Sequence, residues 1–402
     1  MLLLPFICIP LYSKYNMIDF IDEETPYYIW NRDFCTSQHE SGYKTVFLGD
    51  STANAAFIPE ALSDSVVNLA MGGATPAECY YIMNDYLANN TAPSDVFISF
   101  YDNHLYESTN FWNRTMYSHR FTPLQNLRII QNAKKYKDNT IFTDTCCLDY
   151  ISYELYLPNK YITALTNAGF NQRRQANKDA YYLIGLRSGR YLTKQSTQED
   201  TAPLECSEFT VSDLFDYYYR QLIDLCVTKG IRVHLIKLPL PSDTVFTENY
   251  IRQFNGYYND LKKDYPSISV DWLRGDYDKS CFCDQIHMNS HGALRFNTEL
   301  LKSHYPYAFE GKIGDAQKEA IRINIIDETS IDDIFLWCDL AGYRVTVCSN
   351  KEWGEFSYLP YEQTDDELCF RISNPDGDTL VCEKYFKHTD AAFELIDTVT
   401  DY

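Results

Sequence analysis

Basic residues are few in this 402-residue chain: 35 Lys and Arg stand against 56 Asp and Glu, for a net charge of −21. A surface of that sign repels phosphate backbones, which excludes nucleic-acid binding as a primary role. Zinc-ribbon spacing is missing as well. The 13 cysteines contain no C-x-x-C pair, and only Cys146/Cys147 and Cys281/Cys283 lie close together. A core of this size needs no disulfide framework, so most of these thiols are expected to be buried small hydrophobes, with a few oxidised pairs as the alternative. No run reaches the ~20 apolar residues that span a bilayer. The opening MLLLPFICIPLY is apolar but lacks the basic region and small-residue cleavage site of a secretory signal. It is either the tail of a membrane anchor that begins upstream or an ordinary buried segment. Internal repeats and low-complexity runs are absent.

What the chain does have is aromatic surface and an α/β texture. Its 34 Tyr and 23 Phe can pack a core, and tyrosine also lines sugar-binding and partner-binding surfaces through its apolar body and polar tip. From Lys44 to about His304, short apolar runs alternate with helical patterns, which predicts a parallel sheet. Strands are expected at Thr45–Leu48, Val66–Leu69, Val96–Phe100, Arg232–Leu238 and Ile268–Val270. Helices are expected from Pro76 to about Leu87, from Val211 to Val227 with a stop at Gly230, and from Asn289 to about Leu301. The resulting division is a lead-in over 1–40, an α/β domain over 41–309 and a small β-rich module over 310–402. In the module, Asp332–Phe335, Tyr343–Cys348, Glu367–Ile372 and Thr379–Tyr385 read as strands, with a turn at Asn374-Pro375-Asp376-Gly377. An insertion over about 104–210, rich in Tyr and Asn and mostly helical, carries an irregular polar patch near Thr193–Pro203. It is expected either to shape a crevice at the strand ends or to pack as a structural flap.

Two distant segments carry chemistry. Phe47-Leu48-Gly49-Asp50-Ser51 delivers a serine at the end of an apolar strand, where a helix N-terminus would supply free N–H groups. Asp284-Gln285-Ile286-His287-Met288-Asn289 sets a carboxylate three residues before an imidazole on a tight loop. Serine needs a neighbouring base to become a nucleophile, and the base needs a carboxylate to fix its tautomer and stabilise the imidazolium. Either segment alone reads equally well as a turn with an Asp capping a helix; the two together, in this order within one α/β unit, point to Ser51, His287 and Asp284 as a triad.

On these two blocks, and in order and spacing over about residues 44–304, the chain resembles the SGNH (GDSL-like) hydrolase superfamily. The resemblance implies a flavodoxin-like three-layer α/β/α sandwich, with Ser51 as nucleophile and Asp284 and His287 as its partners. It also implies an oxyanion hole formed by the Ser51 N–H, a glycine after the second strand (Gly72 or Gly73, Gly72 preferred) and an asparagine. The superfamily's Gly-x-Asn-Asp block is replaced here by Ser99-Phe100-Tyr101-Asp102-Asn103-His104, with Asn103 as the candidate donor. The insertion, the apolar start and Pro59 look similar to DltD-like and alginate-acetylation-type members. These act outside the cytoplasm beside membrane-bound O-acyltransferases and move or remove acyl groups on surface polymers.

The expected function is therefore a serine-dependent esterase or O-acyltransferase, without cofactor, acting on an acylated carbohydrate or surface polymer. A binding or assembly protein with a degenerate site is the rival of another class, favoured by the lost Gly-x-Asn-Asp block and the added module; a cytoplasmic esterase is third. A metal site built from Cys281, Cys283, Asp284, His287 and His291 is a further rival, but Met288 stands where the zincin pattern needs Glu, and such a site leaves Gly-Asp-Ser unexplained.

Overall fold

The computed structural model describes residues 26–39, 42–154, 173–191, 202–349, 352–355, 367–389 and 393–400, with single positions at 8, 18 and 166. The apolar opening, Cys8 apart, and positions 193–201 of the polar patch lie outside the described residues. No helix among the described residues is long and apolar enough to cross a membrane. The chain divides into two compact units, Met1–Pro59 with Ser65–Glu310, and Glu60–Asp64 with Gly311–Tyr402.

The first unit is built on a five-stranded parallel sheet: β1 (Thr45–Gly49), β2 (Val66–Asn68), β3 (Asp95–Ser99), β4 (Arg232–Lys237) and β5 (Ser269–Trp272), in the order β2-β1-β3-β4-β5. Every residue of β1, β2 and β3 is buried, which is why these strands read as continuous apolar runs and not as alternating ones. All five expected strands are present within a residue or two of their expected ends. The expected helices are present too. The first, Pro76–Asn89, opens on a Thr75/Glu78 capping box with proline in its first turn. The second, Asp213–Thr228, starts on a Ser212 cap. The third, Ser290–Arg295, starts on Asn289 and continues through a π-helical turn at Phe296–Leu301 to His304.

Two helices of this unit went unforeseen. One is Pro26–Thr36, whose Tyr27 to Asn31 are all buried. The other is Glu248–Asp264, buried through Tyr250, Phe254 and Leu261. The described parts of the insertion include helices Pro123–Lys135, Cys146–Glu154 and Arg173–Leu186.

Strand order reverses direction between β1 and β3. In open parallel sheets the crevice beyond the strand C-termini at such a switch point is where ligands bind. The β1 end leads into Ser51, and the β3 end leads into the turn Asp102–Leu105.

The second unit is α+β. Helices Asp315–Asp327 and Ile331–Ala341 precede a five-stranded sheet. Its strands are β6 (Arg344–Ser349), β7 (Glu352–Glu355), β8 (Glu367–Ser373), β9 (Leu380–His388) and β10 (Phe393–Val399), paired antiparallel in the order β10-β9-β8-β6-β7. The expected strand at Asp332–Phe335 is instead the first turn of a helix. Its buried positions Ile331, Ile334, Trp337, Cys338 and Ala341 follow helical spacing, Ser330 caps the start, and Gly342 closes the end at φ +74°. The expected turn at 374–377 joins β8 to β9, with the Gly377 N–H donating to the Asn374 carbonyl at 2.9 Å. Buried Lys384 on β9 donates to the carbonyls of Ile326 (2.8 Å) and Glu328 (2.6 Å), which offsets the cost of taking an amine out of water.

Candidate active site

Ser51 is aimed by its two predecessors. Gly49 ends β1 at φ +146°, and a Cβ there would lie 1.9 Å from the Ser99 carbonyl oxygen on β3, so only glycine fits. Asp50 then caps the short helix Ser51–Ala56: its Oδ1 accepts from the Thr52 N–H at 2.8 Å and the Thr52 hydroxyl at 2.6 Å. Ser51 thus stands at the first helical position, and no described residue accepts its N–H.

The second segment closes on itself. Phe282 and Met288 form an antiparallel bridge, and the Cys283 N–H donates to the His287 carbonyl at 2.9 Å. Inside this loop Asp284 Oδ1 accepts from the N–H groups of Ile286 (2.9 Å) and His287 (2.8 Å), leaving Oδ2 to hold His287 Nδ1 at 2.7 Å. His287 Nε2 then lies 2.8 Å from Ser51 Oγ. Asn297, in the helix that follows, bonds the Ile58 N–H (3.1 Å) and the Ala56 carbonyl (2.6 Å), tying this segment to the end of the serine helix. Burial raises the Asp284 carboxyl, but the His287 hydrogen bond and charge and the two N–H groups outweigh it and hold it below the usual range. Asp284 is otherwise open: its side chain is 53% exposed, against 19% for His287.

These residues line a cleft of about 560 Å³ with Gly72, Gly73, Asn103 and His104. Gly72 is half-buried and its carbonyl accepts from the Tyr28 hydroxyl, while no described residue accepts its N–H. Gly73 is buried at φ +67°, packed where a Cβ would meet the Asn110 side chain. Asn103 is exposed, and its amide makes no hydrogen bond with a described residue. The structure therefore gathers Ser51, His287, Asp284, Gly72 and Asn103 around one cleft. The insertion contributes Glu107, Asn110, Arg114 and Tyr191 to its walls.

Several residues here escaped the sequence reading. Asn54, one turn after Ser51, donates to the Ala70 (2.9 Å) and Gly189 (3.1 Å) carbonyls and accepts from the Tyr191 N–H at 2.9 Å, seating the insertion against the cleft. Asp50, fully buried, turns its other oxygen to the Tyr101 N–H and to His104 Nδ1, each at 2.7 Å. Burial pushes the Asp50 carboxyl up, yet His104, Thr52 and Tyr101 bring it down to about 2. Burial likewise lowers the His104 imidazole, and the Asp50 charge raises it above its ordinary value by a larger combined effect. Asp102 is gripped from the far side by Lys237 Nζ (2.6 Å) and the Tyr250 hydroxyl (2.7 Å). No sequence signal links residues so far apart; Asp50 and His104 meet only because β1 and β3 are neighbours.

The residues weighed as a metal cluster have other engagements. Both His287 ring nitrogens are taken, the Cys283 thiol donates to the His287 carbonyl at 3.5 Å, and buried Cys281 accepts from Arg295 at 3.8 Å. Among the described residues no group of three or more His, Cys, Asp or Glu is arranged to hold a metal ion. No protein-family model matches the sequence, and no curated protein matches it.

Proposed function

We propose that this protein is a serine-dependent esterase or O-acyltransferase of the SGNH type. The observation that carries the reading is the relay Asp284–His287–Ser51, with contacts of 2.7 and 2.8 Å, at the C-terminal edge of a parallel sheet. The strand order also suits the flavodoxin-like sandwich of that superfamily. Ser51 Oγ attacks an ester carbonyl while His287 Nε2 takes its proton, and Asp284 fixes the tautomer and stabilises the imidazolium. The Ser51 and Gly72 N–H groups, with the Asn103 amide, receive the oxyanion. His287 returns its proton to the leaving alcohol, and the acyl-enzyme then passes its acyl group to water or to a sugar hydroxyl.

The cleft walls support the substrate class. Tyr27, Tyr28, Tyr101 and Tyr191 line the cleft beside Asn110 and Glu107, a mixture of flat apolar faces and polar tips suited to an acylated carbohydrate. Action outside the cytoplasm on a surface polymer, beside a membrane-bound O-acyltransferase, belongs to the same proposal and rests on the resemblance to DltD-like proteins. The test is a fluorophosphonate probe with intact-mass detection. One adduct on the wild-type protein, lost in Ser51→Ala and His287→Ala, is the expected result. An unlabelled, folded wild-type protein overturns the reading and leaves a glycan-binding or assembly role.

A further inference from the structure

Ser51 is flanked by two Asp–His pairs, not one. The second, Asp50–His104, has its carboxylate sealed from solvent and its imidazole 14% exposed on the cleft wall. The geometry points to His104 as a catalytic residue that donates a hydrogen bond from Nε2 to the oxyanion formed at Ser51. This inference rests on the serine-hydrolase reading and adds a group to it.

Three observations carry it. His104 Nδ1 is spoken for by Asp50 Oδ2 at 2.7 Å, while no described residue hydrogen-bonds Nε2 and the ring borders the same cleft as Ser51, Gly72 and His287. The turn that carries His104 is clamped on both sides, by Asp50 on Tyr101 and His104 and by Lys237 and Tyr250 on Asp102. An oxyanion donor works through being fixed before charge develops. The exposed Asn103 amide is fixed by no described side chain, and His104 adds a donor that is already fixed. Third, Asp50 also caps the helix that begins with Ser51, so donor and nucleophile share one anchor.

The tautomer sets the pH behaviour. A neutral ring with its proton on Nδ1 has only a lone pair at Nε2, so donation requires the imidazolium. The groups facing His104 favour that form: Asp50 from the serine helix, Glu78 from the helix after β2 and Glu107 from its own loop. Arg114, Asp284 and His287 complete the charged lining, and Tyr27, Tyr28, Tyr101, Tyr191 and Cys283 are its other titratable groups. In the reacting step the Ser51 Oγ–carbon bond forms, the carbonyl π pair moves to oxygen, and the Ser51 proton goes to His287. His104 keeps its proton and hydrogen-bonds the new oxyanion. When the carbonyl reforms, the alcohol leaves with the proton from His287. Activity falls as pH climbs through the raised titration of His104, above the ordinary imidazole value of ~6.5.

The test uses 4-nitrophenyl acetate, with kcat and KM measured across pH for the wild type, His104→Ala and His104→Gln. We expect His104→Ala to lower kcat about 100-fold with KM little changed, the size of a lost oxyanion donor. His104→Gln, with an N–H that does not titrate, should retain more activity and lose the alkaline decline. If either folded variant keeps the wild-type kcat and pH profile, His104 plays no part in the chemistry. Should His104→Ala fail to fold, His104→Gln decides. Fluorophosphonate labelling separates the two proposals: a labelled wild type with unchanged His104 variants sinks only this inference, whereas an unlabelled, folded wild type sinks both.

Discussion

Replacing Asp50 by Asn keeps the side chain's shape and removes its charge. The carboxyl titrates at about 2 in the folded protein, against ~3.9 in an unfolded chain. At ~1.4 kcal/mol per pKa unit, its ionised form stabilises the fold by roughly 2–3 kcal/mol. Asparagine also turns an NH2 toward either the Thr52 N–H or the Tyr101 N–H, setting a donor against a donor. A buried donor left unpaired costs about 1–3 kcal/mol, so Asp50→Asn should lose about 3 kcal/mol or more at pH 6. Because the folded pKa is depressed, the wild-type contribution is complete above the unfolded value and disappears as pH falls toward 2. The wild-type advantage should therefore shrink by about 1 kcal/mol between pH 6 and pH 3. Urea unfolding of both proteins at both pH values, followed by circular dichroism and tryptophan fluorescence, measures it. An advantage below ~0.5 kcal/mol at pH 6, the range of ordinary surface changes, or one that grows on acidification, refutes the reasoning.

Two further outcomes follow from close approaches in the fold. Gly49→Ala forces a Cβ to within 1.9 Å of the Ser99 carbonyl at φ +146°, so we expect a loss of ~3 kcal/mol or more, read as a lower urea midpoint, or a failure to recover soluble protein. Lys384→Met leaves the Ile326 and Glu328 carbonyls without their donor. It should destabilise the second unit by about 2–4 kcal/mol, seen by calorimetry, and a transition identical to wild type would contradict the account of that buried amine.

The sheet was legible because its central strands are buried on every side: Val46-Phe47-Leu48 and Val96-Phe97-Ile98 leave no polar position to blur the signal. The contact of Ser51 with His287 and Asp284 was legible because each half keeps its geometry within a few residues: the strand end and cap for Ser51, the closed loop for Asp284 and His287. The Pro26–Thr36 helix was not, since six consecutive buried residues, Pro26 to Asn31, erase the 3.6-residue rhythm that marks a surface helix. Glu248–Asp264 carries that rhythm in Tyr250, Phe254 and Leu261. Asp332–Phe335 misled because four residues are too short a window to distinguish the two periods; the Ser330 cap and Gly342 stop, eleven residues apart across Ile331–Ala341, held the answer. His104 could not be found at all without knowing that β1 and β3 are adjacent.

The second unit is discontinuous, and this has a consequence for how the protein is made. Residues Glu60–Asp64, nine positions beyond Ser51, belong with Gly311–Tyr402, where the Asp64 N–H donates to the Lys312 carbonyl at 2.9 Å and Asn324 to Glu60 at 3.3 Å. On the ribosome these five residues emerge about 250 residues ahead of the segment that pairs with them. At ~5–20 residues per second, that is a wait of roughly 10–50 s during translation. The serine helix and β2 must take shape around a loop whose own partners do not yet exist. A chain cut near Glu310 would extend that wait indefinitely, leaving buried Glu60 and the 60–64 backbone without the partners that Gly311–Tyr402 supplies.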